Sequence, residues 1–381
     1  MENSLFNHQD LRMVTPDFDA PLTDLIIELD YLRKKKLDGF TPPQIFHQLK
    51  TIFHYLESLG SARIEGNNTT LAEYIETTLE PNKKKTSTIQ EISNIEDALN
   101  FIENSIHDIP INRALVCEIH KRITHNLPTH EEGDPNPGRY RKINVTINRS
   151  AHKPPDSFLV DSYMDELFHF INGQYLEEKY DLLKTVFVHH RFAWIHPFGN
   201  GNGRTVRLLT YAMLVKQGFN VGRVINPTAV FCMDRDKYYH YLGLADTGSK
   251  EGMLQWAFYV LNGLKTEIEK IDHLNDFSYL KKEILLPTLK IALSAEYITE
   301  KEYLILSRSI EHQLLQARHI KDLYTDKAKS EISRQIKLLI DKKMLIPEIP
   351  GTRKYVLSFE NNYLLRAVIK VLGEKGFLSV Q

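Results

Sequence analysis

The stretch that most constrains this 381-residue chain is His196-Pro-Phe-Gly-Asn-Gly-Asn-Gly-Arg-Thr-Val-Arg207, a turn set between two segments of helical apolar spacing. Pro197 disfavours helical geometry at the residue before it, so the helix running up to Ile195 stops at His196 and leaves the imidazole at an exposed end. Gly199, Gly201 and Gly203 let the backbone take positive φ and bring N–H groups close to a ligand. From Arg204 onward Leu208, Leu209, Ala212 and Met213 recur at helical spacing, so the glycine-rich nest opens onto a helix N-terminus, with Asn202 as a fair N-cap. Arg204 and Arg207, three apart on that helix, project from one face and suit two groups of a polyphosphate. A plain Gly/Asn-rich turn with surface arginines explains each feature alone but not their conjunction.

This segment resembles the signature of Fic-domain proteins, His-Pro-Phe-x-(Asp/Glu)-Gly-Asn-Gly-Arg-x-x-Arg, at His196, Pro197, Phe198, Gly201, Asn202, Gly203, Arg204 and Arg207. The resemblance implies transfer of AMP from ATP to a Ser, Thr or Tyr hydroxyl of a target protein, with His196 as the base. It also implies a mainly α fold: a Fic (Fido) helical core with a β-hairpin flap. The nucleotide would lie along Asn200 to Arg207, including Thr205 and Val206. The amides of Gly201 to Gly203 and Asn202 would hold the α- and β-phosphates, Arg204 the β and Arg207 the γ. The departure is Asn200, which stands where the family has an acidic residue that holds magnesium. A neutral carbonyl oxygen is a weak partner for a hard cation, so the expectation is low affinity for Mg2+ or Mn2+ near Asn200, improved in Asn200→Asp.

Upstream, Leu22 to Leu32 has helical spacing, and Thr41-Pro-Pro starts a helix expected to end at Gly60. Thr70-Leu-Ala-Glu73 is a capping box. Ser61 and Glu65, four apart, share a helical face and on their own read as a surface pair. Within the resemblance, Ser61 to Gly66 is similar to the family's inhibitory motif, in which Glu65 pairs with Arg207 in the place of the ATP γ-phosphate. Guanidinium binds carboxylate and phosphate alike.

Gly133, Pro135, Pro137 and Gly138 break helix, and Val145-Thr-Ile147 favours strand before a turn-prone Asn148-Arg-Ser-Ala, so a short hairpin is expected. In similar proteins Gly-x-Tyr-Arg, here Gly138 to Arg141, leads into a flap that receives the target by strand pairing; Asn148 to His152 would then form its tip. Tyr238 and Tyr239 resemble the family's paired tyrosines that flank the base; an ordinary core pair stays open. His189 and His190 lack zinc-site spacing with His196, and Phe187, Phe192 and Trp194 make that helix read as core.

Composition is that of an ordinary globular protein, 42% hydrophobic and 25% charged, with a formal net charge of -1 that advertises no global affinity for nucleic acid. The two cysteines, Cys117 and Cys232, argue against a disulfide framework, and with no apolar run or leader-like start the reading is cytoplasmic, without a membrane. Near the C-terminus, Gln316 to Tyr324 and Ser330 to Ile340 read as helices, and Met344-Leu-Ile and Lys354-Tyr-Val-Leu flank Pro350-Gly351 as a wing. This resembles a winged helix. Ten Lys/Arg against five Asp/Glu lie between Arg318 and Lys354, so a DNA or a protein partner both stay open, with Lys329, Ser330, Ser333 and Arg334 at the front of the recognition helix. Three parts result: an N-terminal helical region at 1–110, a catalytic core at 111–265, and a winged helix at 275–381. Competing readings are a DNA-binding regulator that uses the core as a nucleotide sensor, and a hydrolase that removes AMP; a homodimer is also left open.

Overall fold

The computed structural model describes residues 8–34, 41–79, 85–147, 152–173, 175, 177–219, 227–232, 234–324 and 329–377. Helices α1 (Pro21–Lys34), α2 (Pro43–Glu65) and α3 (Leu71–Leu79) come first. They are followed by α4 (Ser87–Ser105), α5 (Arg113–Ile123), α6 (Val160–Gly173), α7 (Asp181–Ile195), α8 (Asn202–Lys216), α9 (Pro227–Cys232), α10 (Arg235–Ala245) and α11 (Lys250–Asn275). Then come α12 (Phe277–Tyr279), a π-helical stretch Leu280–Leu285, α13 (Leu286–Ser294), α14 (Glu300–Glu311), α15 (Lys329–Asp341), strands β1 (Leu345–Pro347) and β2 (Tyr355–Leu357), and α16 (Asn362–Glu374). Among the described residues no helix is long and apolar enough to cross a membrane.

Local chemistry sets many of the starts. Thr70 and Glu73 form the expected reciprocal cap ahead of α3, the Glu73 carboxylate accepting from the Thr70 amide at 2.7 Å. Thr86, Asn112 and Asp234 accept first-turn amides of α4, α5 and α10. At α2 the expectation fails: the helix does not end at Gly60 but runs on to Glu65 and stops at Gly66, whose φ is 110°. The reason is tertiary. A Cβ on Gly60 would sit 2.9 Å from Cys232 Sγ, so glycine is there to let the helix lie close, not to end it.

The chain divides into two compact units, and residues 1–110, read as one region, are shared between them. The first holds the described residues among Met1–Lys36, His54–Thr69 and Lys83–Ile268. There α7 packs on α8, with α4 and α5 against α8, and α6 against α7. Phe187, Phe192, Trp194, Leu209 and Tyr211 from this pair are buried, each apolar side chain worth about 1.5–3 kcal/mol over its exposed state. The two adjacent histidines of α7 are both partnered. His189 meets Thr210 Oγ1 at 2.7 Å and the Tyr238 hydroxyl at 3.0 Å, and His190 Nε2 faces Asp246 Oδ1 at 2.9 Å.

The second unit holds the described residues among Leu37–Phe53, Thr70–Asn82 and Glu269–Gln381. Within it α13 packs on α16 and α14, and a 3-10 helical run Ala317–Tyr324 packs on α15. Strands β1 and β2 pair antiparallel, Leu345 opposite Leu357. Gln48 caps their end, its amide donating to the Leu357 carbonyl at 3.0 Å and its oxygen accepting the Phe359 N–H at 2.6 Å. These two strands form the sheet seen among the described residues.

The hairpin expected around Val145 carries no strand in residues 143–147, and residues 148–151 lie outside the described residues. Side chains have taken the places of ladder partners. Arg141 donates to the Ile143 carbonyl at 3.0 Å, while Asn144 donates to Asp156 and accepts the Ser157 N–H at 2.7 Å. Among the described residues the segment pairs with no strand.

Candidate active site

The site begins where α7 ends. His196 takes φ 51°, ψ 61°, and its N–H closes α7 on the Phe192 carbonyl at 3.0 Å. A non-glycine residue in left-handed geometry costs about 1–2 kcal/mol, and Arg141 holds the backbone there. Its Nε donates to the His196 carbonyl at 2.8 Å, its Nη2 to the Ile195 and Pro155 carbonyls, and its own N–H to the Pro197 carbonyl at 2.8 Å. The Gly-x-Tyr-Arg signal thus marks a residue that fixes His196.

The His196 ring lines an open cavity of about 840 Å³. Its Nδ1 faces the Ala193 carbonyl at 3.4 Å, an atom that only accepts, so the proton sits on Nδ1 and Nε2 keeps its lone pair. Burial pushes the imidazole down to about 4, against the upward pull of the Ala193 bond. At neutral pH the ring is an unprotonated base. His120 is likewise pushed down to about 4 by burial. Because the folded values lie below the unfolded one near 6.5, the unfolded chain binds more protons between about pH 4 and about pH 6.5. Stability therefore falls as pH drops through that window, by about 1.4 kcal/mol per unit for each such histidine. Urea midpoints at about pH 7 and about pH 5 check this; an unchanged midpoint would contradict the burial of both rings.

Beyond His196 the loop is held by the chain's own side chains. His120, fully buried, stacks on Phe198 with ring centroids 3.7 Å apart. Its Nδ1 accepts the Gly138 N–H at 2.8 Å, so Nε2 carries the proton and donates to the Asn200 carbonyl at 3.0 Å. Asp134 accepts the Asn200 and Asn136 N–H groups at 2.8 and 2.6 Å. The α8 N-cap is Gly201 (φ 73°), not Asn202; the Asn202 side chain instead closes the loop on both the N–H and the carbonyl of Phe198. Thr205 Oγ1 bonds the Gly201 carbonyl at 2.8 Å, and Val206 lines the cavity. The first amides of α8 have no partner within the helix and open toward the cavity.

Asn200 is spent on the loop. Its amide donates to the Glu131 and Gly133 carbonyls at 3.1 and 3.2 Å, and its oxygen accepts the Gly201 N–H at 2.7 Å. That side chain does not fit a cation ligand, because its oxygen is engaged and neutral. An aspartate here would set an oxygen against two carbonyls. Asn200→Asp is therefore expected to lose about 1–3 kcal/mol of stability and to leave magnesium affinity unimproved, read by thermal denaturation and metal titration.

The two motif arginines part ways. Arg207 lines the cavity, donating from Nε to Ser61 Oγ and from Nη2 to the Ser61 carbonyl, both 2.9 Å, and from Nη2 to Glu65 Oε1 at 2.7 Å. Burial pushes the Glu65 carboxyl up, but Arg207 and Arg204 outweigh it and hold it below the usual range. A Cβ on Gly203 would come 2.2 Å from Glu65 Oε1, so only glycine admits this carboxylate. Arg204 is fully buried off the cavity wall, between Glu91 at 3.1 Å and Glu132 at 2.8 Å. Burial raises both carboxyls against its pull. Asn67, just past α2, donates to Glu91 at 2.8 Å and ties the helix end to the same cluster.

Tyr238 and Tyr239 line the cavity, the buried Tyr238 hydroxyl held by His189. His152 also lines it, its Nε2 on the Trp194 carbonyl at 2.8 Å. Sequence reasoning missed His120, Glu132, Asp134 and Arg235. Arg235 alone left a local signal, a cation three residues before Tyr238 at a helix start.

Residues 110–214 match the Fic/DOC family model. Protein adenylyltransferase Fic of Drosophila virilis is 29% identical over 199 residues, covering 51% of this chain and 38% of that protein, and that of Drosophila grimshawi is 28% identical over the same length. The chain thus spans 38% of the length of these relatives. In fold it is similar to a Fic family protein from Desulfovibrio desulfuricans G20, with TM-score 0.55 and 18% identity over 92% of this chain and 99% of that one. Fic-1 from C. elegans aligns with TM-score 0.50 and 20% identity over 65% of this chain and 71% of that one. Over residues 110–214 this chain thus matches the Fic/DOC domain in sequence, and its fold is similar to that of a solved Fic family protein.

Proposed function

We propose that this protein transfers AMP from ATP to a hydroxyl side chain of a target protein and that Glu65 restrains the transfer. The observation that carries the reading is one cavity in which an unprotonated histidine, the open N-terminus of α8 and Arg207 face the same space, with a glutamate already on Arg207. His196 Nε2 takes the proton of a target Ser, Thr or Tyr hydroxyl, whose oxygen attacks the α-phosphorus in line as pyrophosphate departs. The α8 amides from Asn202 onward face the phosphates, and Arg207 takes the terminal one once Glu65 withdraws. Tyr238 and Tyr239 flank the base. Ile143 to Ile147, which pair with no strand among the described residues, offer backbone groups to a target segment.

Homology to Fic adenylyltransferases implies ATP- and magnesium-dependent chemistry in general. Position 200 supplies no anionic oxygen for such an ion, and every role assigned above belongs to the chain's own side chains and amides. The second unit is read as a winged-helix targeting module on the order of its elements: a 3-10 helical run, α15 and the β1–β2 hairpin. A protein partner suits it better than DNA. At the front of α15 the Arg334 guanidinium is paired with Glu331 at 3.0 Å, which neutralises a cation that a phosphate would need.

The deciding experiment incubates the purified protein, wild type and Glu65→Gly, with labelled ATP and magnesium and examines all protein by mass spectrometry. The expected result is the mass of one AMP on a hydroxyl residue, stronger in Glu65→Gly. Label that stays in nucleotide with both proteins would sink the transferase reading.

A further inference from the structure

Of the two motif arginines only Arg207 lines the cavity. Arg204, which the family resemblance placed on the β-phosphate, is turned into the protein and shared between Glu91 and Glu132. The cavity nevertheless has a second guanidinium. Arg235, the first residue of α10, lines the same wall as Glu65, Arg207 and Tyr239. Its Nε is buried without a hydrogen-bond partner, and among the described residues no carboxylate pairs with it. Its guanidinium carbon lies 5.6 Å from the Tyr239 ring centroid, a loose contact that leaves its donors unspent.

A buried donor with no acceptor is costly, and cations in a protein cavity are ordinarily paired. Arg235 lines a cavity whose other guanidinium already holds a carboxylate. The Glu65 carboxylate also lies within the field of Arg235, so the two arginines act on one anion position. Asp234 caps α10 through its side chain, accepting the Lys237 N–H at 2.9 Å, and so fixes where Arg235 leaves the helix.

We infer that Arg235 is a phosphate-binding residue of the nucleotide site, joining Arg207 on the terminal phosphate in the position that Glu65 occupies. The inference rests on the nucleotide-transfer reading above and adds to it a residue outside the motif. Two guanidiniums on one phosphate make the site selective for a triphosphate over a diphosphate, because only the triphosphate reaches both.

The test uses the full chain carrying Glu65→Gly, so that the position is open, and measures binding of ATP, ADP and AMP by calorimetry with and without Arg235→Gln. Removing a charge-assisted contact is expected to weaken ATP binding by about 10- to 100-fold while ADP and AMP change by less than about 3-fold. Arg235→Lys, which keeps the charge but loses the fork, is expected to fall between the two. Unchanged ATP affinity in Arg235→Gln overturns the inference. So does an equal loss for all three nucleotides, which would place Arg235 on the base or the sugar. If Arg235→Gln does not fold, Arg235→Lys decides: ATP-selective weakening supports the assignment, and affinity equal to that of Arg235 overturns it. Failure of the Glu65→Gly chain itself to bind any nucleotide overturns the underlying reading, and is separable because it appears before position 235 is changed.

Discussion

His196→Ala is expected to lower the proposed AMP transfer by about 10²- to 10⁴-fold and to leave ATP binding and the fold nearly unchanged. The separation follows from how the residue is held. Its backbone is fixed by Arg141 through the carbonyls of Ile195, His196 and Pro197, contacts that survive any change of side chain. Alanine inherits the same left-handed geometry at φ 51°, so the backbone strain is the same before and after. What is lost is Nε2, the one unprotonated nitrogen at that place. The measurement is single-turnover transfer with labelled ATP in the Glu65→Gly background, beside calorimetric ATP affinity. Transfer at the parent rate would end the role of His196 as base; equal loss of rate and affinity would make it a binding residue.

Under the proposed reading, Glu65→Gly is expected to tighten ATP binding by about 10- to 100-fold and to raise transfer accordingly. The estimate is the strength of one charge-assisted hydrogen bond, the 2.7 Å contact from Arg207, which ATP no longer has to break. A second consequence separates this from a generic loosening of α2. Without the carboxylate, Arg207 keeps only Ser61 Oγ and the Ser61 carbonyl, so a buried cation is left without its anion. The variant is therefore less stable than wild type without nucleotide and gains more in melting temperature when ATP is added. A melting temperature that responds to ATP equally in both proteins, with equal transfer rates, would remove Glu65 from the restraining role.

Local chemistry made much of this legible beforehand. The break at His196, the glycine turn, the start of α8, the capping box at Thr70 and Glu73, and the strands around Ile346 and Val356 all depend on neighbours within a few residues. Ser61 and Glu65 do reach Arg207, a contact implied by the resemblance of Ser61 to Gly66 to the inhibitory motif and not by their spacing, which alone reads as a surface pair. The failures share a different cause. Gly60 lies inside α2 because the reason for a glycine there is Cys232, a residue whose closeness no local pattern encodes. Arg204 shows the same limit. Its position on α8 was legible, but helical spacing cannot say that Glu91 and Glu132 would claim it, since that choice is made by the packing of α4 and the loop before Gly133. Asn200 read as a weakened acid, yet its two donated hydrogen bonds to Glu131 and Gly133 are what a carboxylate cannot make.

His120 holds Gly138 with one ring nitrogen and Asn200 with the other while its face lies on Phe198. The segment leading into Arg141 and the glycine-rich turn after His196 are thus both pinned to one imidazole. Under the proposed reading, activation in such a protein is subtraction. Nothing has to be put in place, and only one side chain has to be taken away. Any event that pulls at α2 then works as a signal whatever its chemistry, and a new regulator can arise without altering a single atom of the catalytic turn.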